Sequence, residues 1–143
     1  MDIPTIVFLR EYFLYMVLVA GVGYLLGSIC FSIIFTKFFK DKVDIRNLGS
    51  GNAGFTNVLR SVGILPALLT MLGDLFKGIL ACLIGQMVFS NFSISGVPQF
   101  CIIQYGIYLS GVCCVIGHIY PCFFKFKGGK AVLTAFALII MTD

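Results

Sequence analysis

The chain is a series of long apolar runs separated by short polar stretches. Tyr12 to Phe35 carries no charged residue. That is long enough to cross a bilayer core, which needs about 20 mostly apolar residues, and too long for the roughly 7–15-residue apolar core of a signal peptide, so it predicts a retained span. From Thr36 the pattern changes to Lys37, Lys40, Asp41, Lys42, Asp44 and Arg46, then the glycine-rich run Asn47-Leu-Gly-Ser-Gly-Asn-Ala-Gly-Phe-Thr-Asn57, and Arg60. A second apolar run extends from about Val62 to Phe89, interrupted by Asp74 and Lys77 and followed by a polar tip, Ser90-Asn-Phe-Ser93, that ends near Pro98. Phe100 to Gly117 is the third run. After His118-Ile-Tyr-Pro-Cys-Phe-Phe-Lys-Phe-Lys-Gly-Gly-Lys130 a last apolar stretch runs from Ala131 to Thr142 and Asp143. As a helix that stretch measures about 20 Å at ~1.5 Å per residue, short of a ~30 Å core. The expectation is an all-α, polytopic integral membrane helix bundle: three full spans, one short helix, and half-helices at the polar motifs, in a single, incomplete domain over 1–143.

Composition narrows this picture. With 59% hydrophobic and 11% charged residues among 143, and a mean hydropathy of +1.05, a water-soluble domain of this size is excluded. The net charge of +4 comes from short basic clusters that alternate along the chain, so it reports topology rather than a nucleic-acid partner. Lys37, Lys40, Lys42, Arg46 and Arg60 fall in the first polar loop, none in the Ser90 tip, and Lys125, Lys127 and Lys130 in the last loop. Positive charge marks the cytoplasmic side, which puts both glycine-and-lysine loops inside and the N-terminus and the Ser90 tip outside. Lys125 and Lys127 read as anchors at the lipid headgroups. The six cysteines lie in or beside apolar runs without a C-x-x-C pair and read as small buried hydrophobes. Asn91-Phe-Ser93 matches a glycosylation acceptor at a length that recurs by chance.

Three constellations carry candidate chemistry. In Gly49-Ser-Gly-Asn-Ala-Gly54, with Asn57 and Arg60 behind it, glycines allow backbone N–H groups to converge on an anion, and Arg60 adds a fork-shaped cation suited to phosphate oxygens. A plain surface turn is the alternative. The run fits G-x-G-x-x-G, yet a membrane span stands where a dinucleotide site needs a strand. Asp74 and Lys77, three apart, share a helical face at a depth where ionisable groups cost at least ~2.5 kcal/mol each and are paired or face a cavity. They are either an ion pair closing the bundle or, through Lys77, part of a polar pocket. In Phe126-Lys-Gly-Gly-Lys130, Gly128 and Gly129 free the backbone at a helix start where Lys130 can reach an anion. Phe124 and Ala131 stand where a P-loop needs Gly and Ser or Thr. His118, the one histidine, has no partner at triad spacing and is an orienting or phosphate-contacting group or a structural one. One His without clustered carboxylates does not assemble a metal site.

Together these segments resemble a known family: the bacterial membrane acyltransferases that move an acyl chain from acyl phosphate to glycerol 3-phosphate, the PlsY family. The resemblance is carried by Gly27-Ser28, by Asp44 through Arg60, by Asp74-Leu-Phe-Lys-Gly78, and by Gly117-His-Ile-Tyr-Pro121 with Phe126 through Lys130 and Thr134, in the family's order. It implies a bacterial inner-membrane enzyme with a cytoplasmic-side site, making lysophosphatidic acid for phospholipid biosynthesis. It implies no cofactor and no coenzyme A or acyl carrier protein as immediate donor. Ser50, Arg60 and Lys130 match phosphate-contacting positions. Asn52, Asn57, Lys77 and His118 are supporting motif residues, and Gly51, Gly128 and Gly129 are the backbone around them. His118 and Lys130 are the expected catalytic residues. Phe55 departs from the small residue usual at its position, and Ala131 from the glycine usual after Gly-Gly-Lys. Family members continue for two or three further helices, so the chain is expected to be C-terminally shortened. The competing reading is an inactive remnant or non-catalytic membrane protein that keeps an anion pocket, whereas a transporter lacks a visible internal repeat and a CDP-alcohol phosphotransferase lacks its carboxylate-rich motif.

Overall fold

A computed structural model describes residues 3–142, so Asp143, the end of the last apolar stretch, lies outside the described residues. The described residues form α1 (Ile3–Gly27), α2 (Phe31–Phe39), α3 (Phe55–Ser61), α4 (Ile64–Phe89), α5 (Gln99–Ile119) and α6 (Val132–Thr142), with single 3-10 turns at Ile45–Asn47 and Cys122–Phe124. The all-α, multi-pass architecture stands as expected, and the half-helices lie at the polar motifs. Three segments are long and apolar enough to cross a membrane: Tyr12–Phe39, Ile64–Phe89 and Gln99–Phe124.

The first span differs from a single helix in two respects. It begins earlier, at Ile3, because Arg10 and Glu11 limit the apolar window without interrupting helical hydrogen bonding. It also breaks between Gly27 and Phe31. There the Ser28 hydroxyl donates to the Tyr24 carbonyl at 2.9 Å and accepts from the Cys122 N–H at 3.3 Å, while the Gly27 and Ile29 carbonyls turn to Lys77. A break within a span is tolerated when the freed backbone groups find partners inside the protein, and here a buried ammonium supplies them.

The helix α5 runs between α1 and α4, and α6 packs on α4 and α5. Small residues set these distances: a Cβ on Gly27 would collide with the Cys114 carbonyl, and one on Gly117 with the Tyr24 carbonyl. Apolar transfer gives little association between helices in lipid, and such close backbone packing takes its place. Two buried clusters mark the ends of the bundle. Met16, Val19, Phe89 and Ile102 hold the Ser90 tip through Phe92, whose ring lies 4.5 Å from Tyr12 and 5.5 Å from Phe89. Cys30, Ile33, Ile45, Ala53, Val58 and Ala67, with Leu48, Phe55 and Phe124 against them, support the glycine-rich loop at the other end.

Candidate active site

The glycine-rich loop is folded around one side chain. Buried Asn57, in the first half of α3, donates through Nδ2 to the carbonyls of Leu48 at 2.9 Å, Asn52 at 3.0 Å and Ile45 at 3.2 Å. Its Oδ1 accepts from the Ser50 N–H at 3.1 Å and the Ser61 hydroxyl at 3.4 Å. Gly49, at φ +52°, lies so close to that oxygen that a Cβ there would collide with it, so only glycine fits. The Asn57 amide is therefore occupied in shaping the loop. The Ser50 hydroxyl, whose backbone N–H it holds, stays exposed.

The second loop returns onto the end of α5. The Gly128 N–H donates to the Ile119 carbonyl at 3.1 Å and the Gly129 N–H to the His118 carbonyl at 3.2 Å. A Cβ on Gly128 would strike the His118 carbonyl, and one on Gly129 the Ala53 carbonyl. Both glycines thus serve close backbone approach, with their N–H groups used within the chain, and they lift Lys130 to the mouth of α6. Ala131 follows at φ +55°, a left-handed conformation in which glycine is at ease and alanine is not; the departure from glycine falls on a position that favours it.

A clamp outside the expected site residues joins the two loops. Arg46 donates through Nη1 to the carbonyls of Phe124 at 2.8 Å and Lys127 at 3.0 Å. Its Nε and Nη2 hold Asp44 Oδ1 at 3.0 Å and Oδ2 at 2.7 Å. Hydrogen bonding from the Arg46 guanidinium keeps the Asp44 carboxyl below the usual carboxylate range. The available signal was the bidentate capacity of an arginine two residues from an aspartate, though its partners in the other loop are backbone carbonyls with no sequence signature.

Between the loops lies a cavity of about 630 Å³, lined by Gly49, Ser50, Asn52, Gly54, Phe55, Thr56, Asn57, Arg60, Asp74, His118, Lys130, Ala131, Val132 and Leu133. Of the expected site residues, Ser50, Asn52, Asn57, Arg60, His118 and Lys130 line it, while Gly51, Lys77, Gly128 and Gly129 do not. Asp74, expected only as the ionic partner of Lys77, is part of the wall. Arg60 and Lys130 are exposed, and among the described residues neither side chain has an ion pair or hydrogen bond.

Beneath the cavity is a buried ionic cluster. Lys77 Nζ lies 2.9 Å from Asp74 Oδ1, 2.9 Å from His118 Nδ1, 2.6 Å from the Ile29 carbonyl and 3.1 Å from that of Gly27, with the Phe31 ring centroid 5.8 Å away. Lys77 and Asp74 are each 2% exposed and His118 is 3% exposed. Thr134 of α6 donates to the Asp74 carbonyl at 3.4 Å. Asp74 and Lys77 share one face of α4, and His118 arrives from α5, so the spacing in sequence shows only the first two together. Among the described residues there is no cluster of His, Cys, Asp and Glu able to hold a metal ion.

The glycerol-3-phosphate acyltransferase family model matches residues 17–143. The chain belongs to this family. It is 39% identical over 127 residues to the glycerol-3-phosphate acyltransferase of Thermoanaerobacter sp. (strain X514), covering 89% of this chain and 57% of the relative. It is 48% identical over 117 residues to that of Syntrophomonas wolfei subsp. wolfei, covering 82% and 53%. The crystal structure of PlsY, an integral membrane glycerol 3-phosphate acyltransferase, in its glycerol 3-phosphate form superposes with a TM-score of 0.72 at 36% identity, over 90% of this chain and 58% of that one. The lysophosphatidic acid form gives 0.70 at 34%. The chain spans a little over half the length of the acyltransferases it matches, and all the cavity residues fall within the matched region.

Proposed function

We propose that the cavity binds glycerol 3-phosphate and an acyl phosphate and supports transfer of the acyl group to the glycerol hydroxyl, giving lysophosphatidic acid for phospholipid synthesis. The observation that carries this reading is that Arg60, from α3, and Lys130, from the second loop, line one cavity with no side-chain partner of their own, in a chain similar to a glycerol 3-phosphate-bound acyltransferase. A fork-shaped guanidinium and an ammonium suit two phosphorylated ligands. Ser50, Asn52 and the first turn of α6 add donors around them.

An acyl phosphate is a mixed anhydride and already activated. The glycerol hydroxyl oxygen bonds to the acyl carbonyl carbon, the bond from that carbon to the phosphate oxygen breaks, and phosphate leaves. The hydroxyl proton passes to a substrate phosphate or to His118. The protein's part is to align the reactants and stabilise the developing oxyanion, with Lys130 and His118 as the catalytic residues; no cofactor or metal ion enters. The lysine distribution supports an inner-membrane protein with the N-terminus outside and the cavity open to the cytoplasm.

The test is to incubate the purified protein in bilayers with acyl phosphate and glycerol 3-phosphate and measure lysophosphatidic acid. Lys130→Ala should abolish product while leaving thermal unfolding unchanged; near wild-type activity in that variant overturns the assignment. Retained glycerol 3-phosphate binding without product at any protein concentration points instead to a non-catalytic anion-binding protein.

A further inference from the structure

The contacts around Lys77 fix more than its own position. Its neighbours are two carbonyl oxygens, a carboxylate oxygen and an imidazole nitrogen. Carbonyl oxygens only accept, so the amine donates to Gly27 and Ile29, and beside the Asp74 carboxylate it is held as an ammonium, which has no lone pair and whose third proton is left for His118 Nδ1. A proton on His118 Nδ1, aimed at an ammonium nitrogen 2.9 Å away, would meet another proton. Nδ1 therefore carries the lone pair, and the single proton of the neutral ring resides on Nε2. That edge of the ring meets the second loop, where a Cβ on Gly129 would stand 2.5 Å from Nε2. Among the described residues Nε2 has no hydrogen-bond partner, and His118 lines the cavity.

We infer that Lys77 is a positioning residue that locks His118 in the Nε2–H tautomer, so that His118 presents a hydrogen-bond donor to a phosphate oxygen in the cavity. The broken span is part of the device, because the Gly27 and Ile29 carbonyls hold the ammonium in place. Asp74, whose Oδ1 lies 3.5 Å from His118 Nδ1, balances the lysine's charge. It is also the acceptor that would draw the proton to Nδ1 if the lysine were absent. A donor at Nε2 cannot accept the glycerol proton there, which leaves the substrate phosphate for that role.

The inference rests on the reading of the cavity as an anion site and is tested apart from catalysis. His118 is the one histidine, so nitrogen-15 NMR of histidine-labelled protein in bilayers reads it alone. The expected spectrum is neutral with the proton on Nε2, and glycerol 3-phosphate shifts that N–H resonance, as does inorganic phosphate if the phosphate group alone is recognised. In Lys77→Met the proton should move to Nδ1 and glycerol 3-phosphate affinity should fall at least ~10-fold, the loss of about one charge-assisted hydrogen bond. A wild-type spectrum with the proton on Nδ1 overturns the tautomer lock, whether or not the variant folds. An Nε2–H resonance unmoved by either anion overturns the donor role. The expected spectra and shifts without lysophosphatidic acid production would leave this inference standing and remove the proposed reaction.

Discussion

The floor and the rim of the cavity use positive charge in opposite ways. On the floor, Lys77 is 2% exposed and surrounded by a carboxylate, an imidazole and two carbonyls. On the rim, Arg60 and Lys130 are exposed and unengaged. A buried charge is stable only when its partners are built into the fold, so it serves the geometry of the protein. An exposed cation above a cavity has its strongest available partner in whatever anion enters. The same residue type thus does structural work in one place and is left free for a ligand a short distance away, and burial with partners already in place separates the two uses.

The sharpest way to break the contrast is to remove one charge from each side. Lys77→Met leaves Asp74 buried without its cation, and such losses run to about 3–5 kcal/mol. Thermal unfolding in detergent should register it, and Lys77→Met combined with Asp74→Leu should recover most of the loss because no lone charge remains. Arg60→Ala should leave unfolding within about 0.5 kcal/mol of wild type, as an exposed substitution does, while weakening glycerol 3-phosphate binding by roughly 10- to 100-fold, the equivalent of one charge-assisted hydrogen bond. Equal stability losses in the two variants would remove the distinction between floor and rim.

The rim was more legible in the sequence than the floor. Arg60 and Lys130 announce themselves through nearby glycines, whose flexibility is a local property, and the three spans follow from long apolar runs. The Asp74–Lys77 pair was legible because three residues apart on a helix means one face. His118 Nδ1 and the Gly27 and Ile29 carbonyls were not, since they arrive from other helices by tertiary packing and two are backbone atoms. The break after Gly27 was hidden for the same reason: an apolar run shows that a segment prefers lipid, not that a distant ammonium will accommodate its loose carbonyls. The place of Asn57 beside the glycines points to a ligand contact, yet its amide organises the loop, a role that depends on acceptors brought to it by the fold.

A smaller effect tests whether the rim depends on the two loops being fastened together. Asp44 orients Arg46, which in turn holds the Phe124 and Lys127 carbonyls. The Asp44 carboxyl titrates below its usual range in the folded protein. Its stabilisation is therefore complete above the unfolded-state value of about 3.9 and is lost as pH falls through the lower folded-state value. Asp44→Asn should cost about 1 kcal/mol near neutral pH, as a partly exposed ion pair does, and the gap from wild type should close in acid below about pH 3.9. A gap that persists unchanged in acid would assign the pair's contribution to shape rather than charge.

The smallest expected change is a gain. Ala131 sits at φ +55° between Lys130 and the first turn of α6, 2% exposed, and its carbonyl accepts the first bond of that helix from the Ala135 N–H at 2.8 Å. An L-residue in this conformation costs roughly 1–2 kcal/mol. Ala131→Gly removes that cost, and the greater freedom of glycine in the unfolded chain offsets about 0.4–1 kcal/mol of the gain. The net expectation is a stabilisation of about 0.5–1 kcal/mol, read as a small rise in the unfolding midpoint. Because the carbonyl and the α6 bond remain, Lys130 should keep its position and glycerol 3-phosphate binding should stay within about twofold, a difference below ~0.5 kcal/mol. A loss of stability instead would mean that the buried Ala131 methyl contributes more by packing than its backbone loses by strain, making this point of the rim a packed element like the floor.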